Sequence, residues 1–127
     1  MNTSNLVMNK KQLQKYSDAW NEHDIDKIMQ FMTEHCVFEP GGGSEKFGSR
    51  YEGYDAVRKR FIEVWTDIPD VKFEDAIHFS EGNHGCSEWT IIGTNKDGTK
   101  IESDGCDIFT FENGKIKSKR SYLKNRQ

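Results

Sequence analysis

Leu13, Tyr16 and Trp20 recur at steps of three and four residues, which puts them on one face of a helix from about Asn9 to Glu22. Asp24 then reads as the N-cap of a short second helix whose inner face carries Ile25, Ile28, Met29 and Met32. Glu34 to Glu39 predicts a short strand, closed by Pro40 and the loop Gly41-Gly42-Gly43. Val57, Phe61, Val64, Trp65 and Ile68 then form a continuous apolar stripe at helical spacing. Pro69 stands where that third helix should stop, and Asp55 lies at its start, where the helix dipole favours a negative charge.

From Val71 onward the period changes to alternation. Val71, Phe73, Ile77 and Phe79 predict one strand, ended by Glu81-Gly82-Asn83. Gly85 to Thr94 predicts the next, and Asn95-Lys96-Asp97-Gly98 a turn. Thr99 to Glu112 follows, then Asn113-Gly114, a strong two-residue hairpin signal, and Lys115 to Leu123. Helices first and a meander afterwards give an α+β fold: three N-terminal helices on a curved, mainly antiparallel sheet. Nothing divides the chain, so residues 1–127 read as a single domain.

Composition narrows the function without naming it. The balance of 34% hydrophobic and 31% charged residues fits a globular chain. No apolar run approaches the roughly 20 residues that span a bilayer, so no membrane is expected. Met1 to Asn5 lacks the basic stretch and apolar core of a signal peptide. Cys36, Cys86 and Cys106 have no metal-type spacing, and a cytoplasmic chain with reduced thiols is the simplest account. A net charge of −3 offers no general attraction to nucleic acid. Lys115, Lys117 and Lys119 alternate, which assigns them to one solvent face or an exposed edge.

The chemically informative feature is a polar residue where the pattern asks for an apolar one. Asp107 shares a strand face with Phe109 and Phe111, so it faces the core if they do; a bulge at Gly105 would turn it outward. A buried carboxylate there needs an ion partner, hydrogen bonds or a proton. Tyr16 lies on the apolar face of the first helix and needs a partner for its hydroxyl. Glu39, before Pro40, reads on its own as an exposed loop-edge carboxylate. His35 and His78 are competing acid–base candidates, and the alternation places His78 on the polar face with Lys72 and Glu74. Glu88 and Trp89 cannot both point inward. The four histidines show no metal-binding spacing, and Gly41-Gly42-Gly43 lacks the spacing of a phosphate loop.

Three stretches together resemble a known family: Asn21-Glu22-His23-Asp24-Ile25-Asp26, Val37-Phe38-Glu39-Pro40, and the Asp-x-Phe-x-Phe-x-x-Gly-Lys run from Asp107 to Lys115. With Tyr16 on the helix before them, they are similar to the nuclear-transport-factor-2-like superfamily, and within it to SnoaL-like proteins and ketosteroid isomerase. The resemblance implies a hollow between helices and sheet. It also implies Tyr16 and a protonated Asp107 as an oxyanion hole and Glu39 as the general base, although the isomerase has aspartate at that last position. The loop Gly41 to Arg50 is longer and richer in glycine than the isomerase's.

The expected function is a cofactor-independent enzyme acting on a small apolar carbonyl compound by proton abstraction and enolate stabilisation, as an isomerase, cyclase or dehydratase. Trp20, Phe38, Phe61, Trp65, Trp89 and Phe109 are the candidate apolar wall. The alternative is a non-catalytic module that holds a hydrophobic ligand or a partner protein in the same hollow. The resemblance further implies a homodimer joined through the outer face of the sheet.

Overall fold

The computed structural model describes residues 7–126, and the reading of Met1 to Asn5 lies outside them. The order is α1 (Lys10–Asn21), α2 (Ile25–Met29), β1 (Met32–Glu39), β2 (Tyr51–Glu52), α3 (Tyr54–Asp67), β3 (Lys72–Glu81), β4 (His84–Thr94), β5 (Lys100–Glu112) and β6 (Lys115–Leu123). The strands form one curved, unclosed sheet in the order β2-β1-β6-β5-β4-β3. Its ladders are antiparallel except for β1 beside β6, which is parallel.

Local chemistry explains the boundaries. The Asn9 side chain accepts from the Gln12 amide at 2.9 Å and starts α1; Asp24 does the same for α2 through the Lys27 amide at 3.1 Å. Ile68 precedes Pro69, which disfavours helical geometry before it, and α3 ends at Asp67. Asn113 and Gly114 both have positive φ, 52° and 74°, as a two-residue hairpin of this twist demands.

Side chains from α1 (Leu13, Tyr16, Trp20), α2 (Ile28, Met29) and α3 (Val57, Phe61, Trp65) share one core with Phe38, Phe109, Phe111 and Ile116 of the sheet. Contacts run between α1 and β3 and between α3 and β1. No helix among the described residues is long and apolar enough to cross a membrane.

The structure corrects several sequence expectations. Met32 does not extend α2; it opens β1, two residues before Glu34. Tyr51–Glu52 pairs with β1 as a short strand that its length hid. Two bulges then reverse side-chain parity. In β3 the register shifts between Glu74 and Ile77, where Asp75 takes φ 56°. Beyond it Ile77 and Phe79 are 57% and 55% exposed on the outer face, and His78 is buried. In the β5–β6 ladder Phe111 pairs with Ile116 but Thr110 with Ser118, so one extra residue sits in β6. Lys119 therefore turns inward and is 1% exposed, while Lys115 and Lys117 stay in solvent.

Candidate active site

Asp107 stands at the centre of the inner sheet face. No bulge interrupts the β4–β5 ladder at Gly105, and Asp107 keeps the parity of buried Phe109 and Phe111. Its cross-strand neighbours are Ser87 on β4 and Ser121 on β6, with His78 one strand further along the same row. The Trp89 indole donates to Asp107 Oδ2 at 3.0 Å, and Ser121 Oγ donates to Oδ1 at 2.5 Å. Gly105 makes the first of these possible: a Cβ there would sit 2.7 Å from the Trp89 ring. The lack of a side chain lets that ring lie over the partner strand.

Lys119 supplies the countercharge. Its Nζ lies 3.6 Å from Asp107 Oδ2 and donates to the Tyr16 hydroxyl at 3.1 Å. Five ring centroids surround the ammonium at 4.3 to 5.5 Å: Trp20, Tyr16, Phe61, Phe38 and Phe73. Such faces attract a cation, most strongly when water is excluded. Burial still pulls the Lys119 amine below its ordinary pKa, opposed by the charge and hydrogen bonding of Asp107. Burial pushes the Tyr16 hydroxyl well above its ordinary range, and the charge of Asp107 adds to that. Tyr16 therefore keeps its proton and remains a donor.

A second polar cluster lies on the same wall. Gln14 Nε2 donates to Asp18 Oδ1 at 2.9 Å, which turns Gln14 Oε1 toward His78 Nε2 at 3.0 Å. That arrangement puts the imidazole proton on Nε2 and leaves Nδ1 to accept from Ser87 Oγ at 2.7 Å. Burial lowers the His78 pKa, so the ring is neutral near pH 7.

Glu39 does not join these groups. Phe38 pairs with Lys119 in the parallel ladder and shares its inward face; Glu39 pairs with Arg120 and points to the other side. Its carboxylate accepts from Arg50 Nε at 2.8 Å and lies 3.5 Å from Arg120 Nε. It is buried rather than loop-exposed. The Arg50 guanidinium rests on the Phe47 ring at 3.7 Å, which fastens the Gly41–Arg50 segment over the outer face. A cleft of about 430 Å³ there is lined by Glu39, Phe47, Arg120 and Tyr122 among others.

Tyr16 and Asp107 are thus brought together, and Trp20, Phe38, Phe61, Trp65, Trp89 and Phe109 are all buried. His35 and Glu88 are exposed. The residues missed from sequence are Lys119, Ser121 and Ser87. The only signal for Lys119 was indirect: a buried Asp107 needs a cation, and the nearby strand holds several.

The SnoaL-like domain model matches residues 13–119. No curated protein matches the chain. Among solved structures, TerC co-crystallised with polyporic acid is similar at 16% identity over 88% of this chain and 88% of that one, TM-score 0.75. An NTF2-like protein from Exiguobacterium sp. 255-15 is similar at 20% identity, covering 90% and 98%, TM-score 0.70. A third, from Catenulispora acidiphila, has a ketosteroid-isomerase-like fold and holds trimethylamine; identity is 14%, coverage 87% and 82%, and TM-score 0.74. With residues 13–119 matched, the chain belongs to the SnoaL-like domain family, and its fold is shared with NTF2-like and ketosteroid-isomerase-like structures.

Proposed function

We propose that this protein is a small-molecule enzyme of the isomerase or cyclase kind, acting on an apolar carbonyl compound at Tyr16, Lys119 and Asp107. The observation that carries the reading is the buried triad itself: Lys119 Nζ stands 3.1 Å from Tyr16 OH and 3.6 Å from Asp107 Oδ2, and all three side chains are inside an aromatic wall. A lone charge pair in a core is a costly way to gain stability, and clustered perturbed groups mark functional sites. TerC with polyporic acid and the trimethylamine complex show small molecules held by proteins of this fold.

In this mechanism Tyr16 and Lys119 donate to the carbonyl oxygen as it gains enolate charge. Asp107 takes the proton from the adjacent carbon, in the role the resemblance gave to Glu39. Donors fixed in a dry site are worth about 10²–10³-fold each, and a placed base about 10²–10⁴-fold. The wall rings close over the triad here, so substrate entry requires them to move aside. The protein works as a homodimer joined through the outer sheet face, where Ile77, Phe79 and Tyr122 are exposed; light scattering at one chain mass, 14.7 kDa, would sink that part.

Conversion of a β,γ-unsaturated ketone to its conjugated isomer, followed by ultraviolet absorbance, tests the reading. Tyr16→Phe and Asp107→Asn should each lower the rate by about 10²-fold or more, and Glu39→Gln should leave it unchanged. A rate that survives Asp107→Asn, or no rate with any such ketone, overturns the mechanism. The burial of all three side chains favours a second reading, a module that binds ligand without turnover. Calorimetric binding of the ketone with no conversion would establish that reading instead.

A further inference from the structure

The outer face of the sheet carries a cleft whose charges do not cancel. It lies between the Gly41–Arg50 segment and β6, and its volume of about 430 Å³ is lined by Glu39, Lys46, Phe47, Arg120, Tyr122 and Leu123 among others. Small-molecule sites span roughly 300–1,000 Å³. The cleft is outside the interior between helices and sheet, so it does not depend on the mechanism proposed above. On the face assigned to the homodimer it sits at β6, three strands from Ile77 and Phe79 on β3, and Tyr122 is the residue common to both.

Its loop wall is held by its own backbone. Ser49 N–H donates to the Gly42 carbonyl at 2.9 Å, and Glu45 and Gly48 exchange hydrogen bonds of 3.2 and 2.8 Å. Gly48 has φ 83°, and a Cβ there would stand 2.6 Å from the Gly42 oxygen, so this turn requires glycine. A Cβ on Gly41 would meet Leu123 Cδ1 at 2.5 Å, which is how closely the loop and the end of β6 approach.

Glu39 is the one carboxylate among the described lining residues. Arg50 Nε donates to it at 2.8 Å, Arg120 Nε stands 3.5 Å away, and Lys46 is a third cation. One arginine would neutralise Glu39, so positive charge is left over in a chain whose net charge is −3. Glu45 and Glu52, close in sequence to these cations, are not in the lining. Arg120 Nη2 donates to the Tyr122 hydroxyl at 2.7 Å, which leaves Nη1 and the Tyr122 proton to donate elsewhere. Phe47, Tyr122 and Leu123 give the same cleft an apolar side.

We propose that this outer cleft is a binding site for a small aryl carboxylate, its anion held by Arg120, Lys46 and the Tyr122 hydroxyl and its ring by Phe47 and Leu123. A guanidinium already oriented by Glu39 and Tyr122 presents its remaining donors as a fork, the geometry that suits a planar carboxylate. The apolar side adds area that a bare inorganic anion cannot use.

The test compares two probes of one shape by calorimetry at low salt, 2-naphthoate and the uncharged 2-naphthamide. Naphthoate should bind with a Kd of about 1 mM or tighter and naphthamide at least about 10-fold more weakly. Arg120→Gln should weaken naphthoate roughly 5- to 10-fold and Lys46→Gln about 2-fold. Arg120→Gln leaves Glu39 its shorter pair with Arg50, and circular dichroism checks that its fold is retained. In amide NMR spectra, ring-current shifts from naphthoate should concentrate in residues 39–48 and 120–123. No naphthoate binding up to about 5 mM, equal binding of naphthamide, or an affinity unmoved by both substitutions would overturn the site. Inorganic phosphate displacing naphthoate at equal concentration would overturn the aryl class.

Discussion

Replacing Lys119 by methionine removes a charge from the core while keeping nearly the same volume, so the cost is electrostatic rather than a cavity. The amine contributes one hydrogen bond to Tyr16 at 3.1 Å and the only countercharge within 4 Å of Asp107 among the described residues. Trp89 and Ser121 would still donate to Asp107, but they are neutral. Removing one partner of a buried pair costs about 3–5 kcal/mol, which displaces a urea midpoint by roughly 2 M for a chain of this size. Asp107→Asn should cost less, about 1–3 kcal/mol, because burial already pulls the Lys119 amine toward its neutral form and it can shed its proton. In Lys119→Met/Asp107→Asn the asparagine still accepts from Trp89 and no charge is left alone, so the double variant should lie within about 1 kcal/mol of the wild type. Urea unfolding followed by tryptophan fluorescence gives all four corners of the cycle and a coupling of at least about 3 kcal/mol. Additive losses would refute the argument, as would a single Lys119→Met cost below about 1 kcal/mol; either would mean that Lys119 and Asp107 do not compensate one another.

Other outcomes follow from the same geometry. Gly105→Ala would bring a Cβ within 2.5 Å of the Tyr122 carbonyl and 2.7 Å of the Trp89 ring, so the ring must shift, with a loss of about 1–3 kcal/mol and a changed near-ultraviolet dichroism; an unaltered spectrum would contradict it. The His78 pKa is lowered in the folded chain, so the unfolded chain binds the proton first as pH falls below about 6.5, and stability should decline through that window. In His78→Gln this part of the pH dependence of the unfolding midpoint should vanish; its persistence would assign the slope to another group. Glu39→Gln loses ion pairs to arginines that are partly in solvent, and should cost no more than about 1 kcal/mol in a urea titration.

The helices and the Asn113-Gly114 hairpin were legible because each rests on local chemistry: a cap, a proline, a stripe, a turn. Asp107 was legible in part because the β4–β5 ladder runs without interruption from the His84–Thr110 pair to the Thr94–Lys100 pair, so parity counted from Phe109 held. Parity failed where a bulge intervened. An unbulged hairpin would set Arg120 opposite Asp107, and the extra residue near Lys117 sets Ser121 there and swings Lys119 inside. In β3 the same device sent Ile77 and Phe79 outward and His78 inward. Neither bulge carries a glycine or proline to announce it, and Asp75 enters the left-handed region without one. The family likeness placed Glu39 by its neighbour Pro40, but one step along a strand changes the face, and the inward residue there is Phe38.

The position of β6 in the sheet sets the order in which the molecule can be completed. It is sixth in the chain yet lies between β1 and β5, and Lys119 reaches a tyrosine 103 residues earlier. Contacts this distant in sequence carry a loop-closure cost before they are rewarded, so the hairpin of β5 and β6 should form early and its pairing with β1 late and slowly. Until that pairing forms, β1 and β6 each present an unpaired edge, and Lys119 lacks the Tyr16 hydroxyl it donates to. The partly folded chain is then exposed to edge-to-edge association, and the Tyr16–Lys119–Asp107 cluster is completed in a single late step.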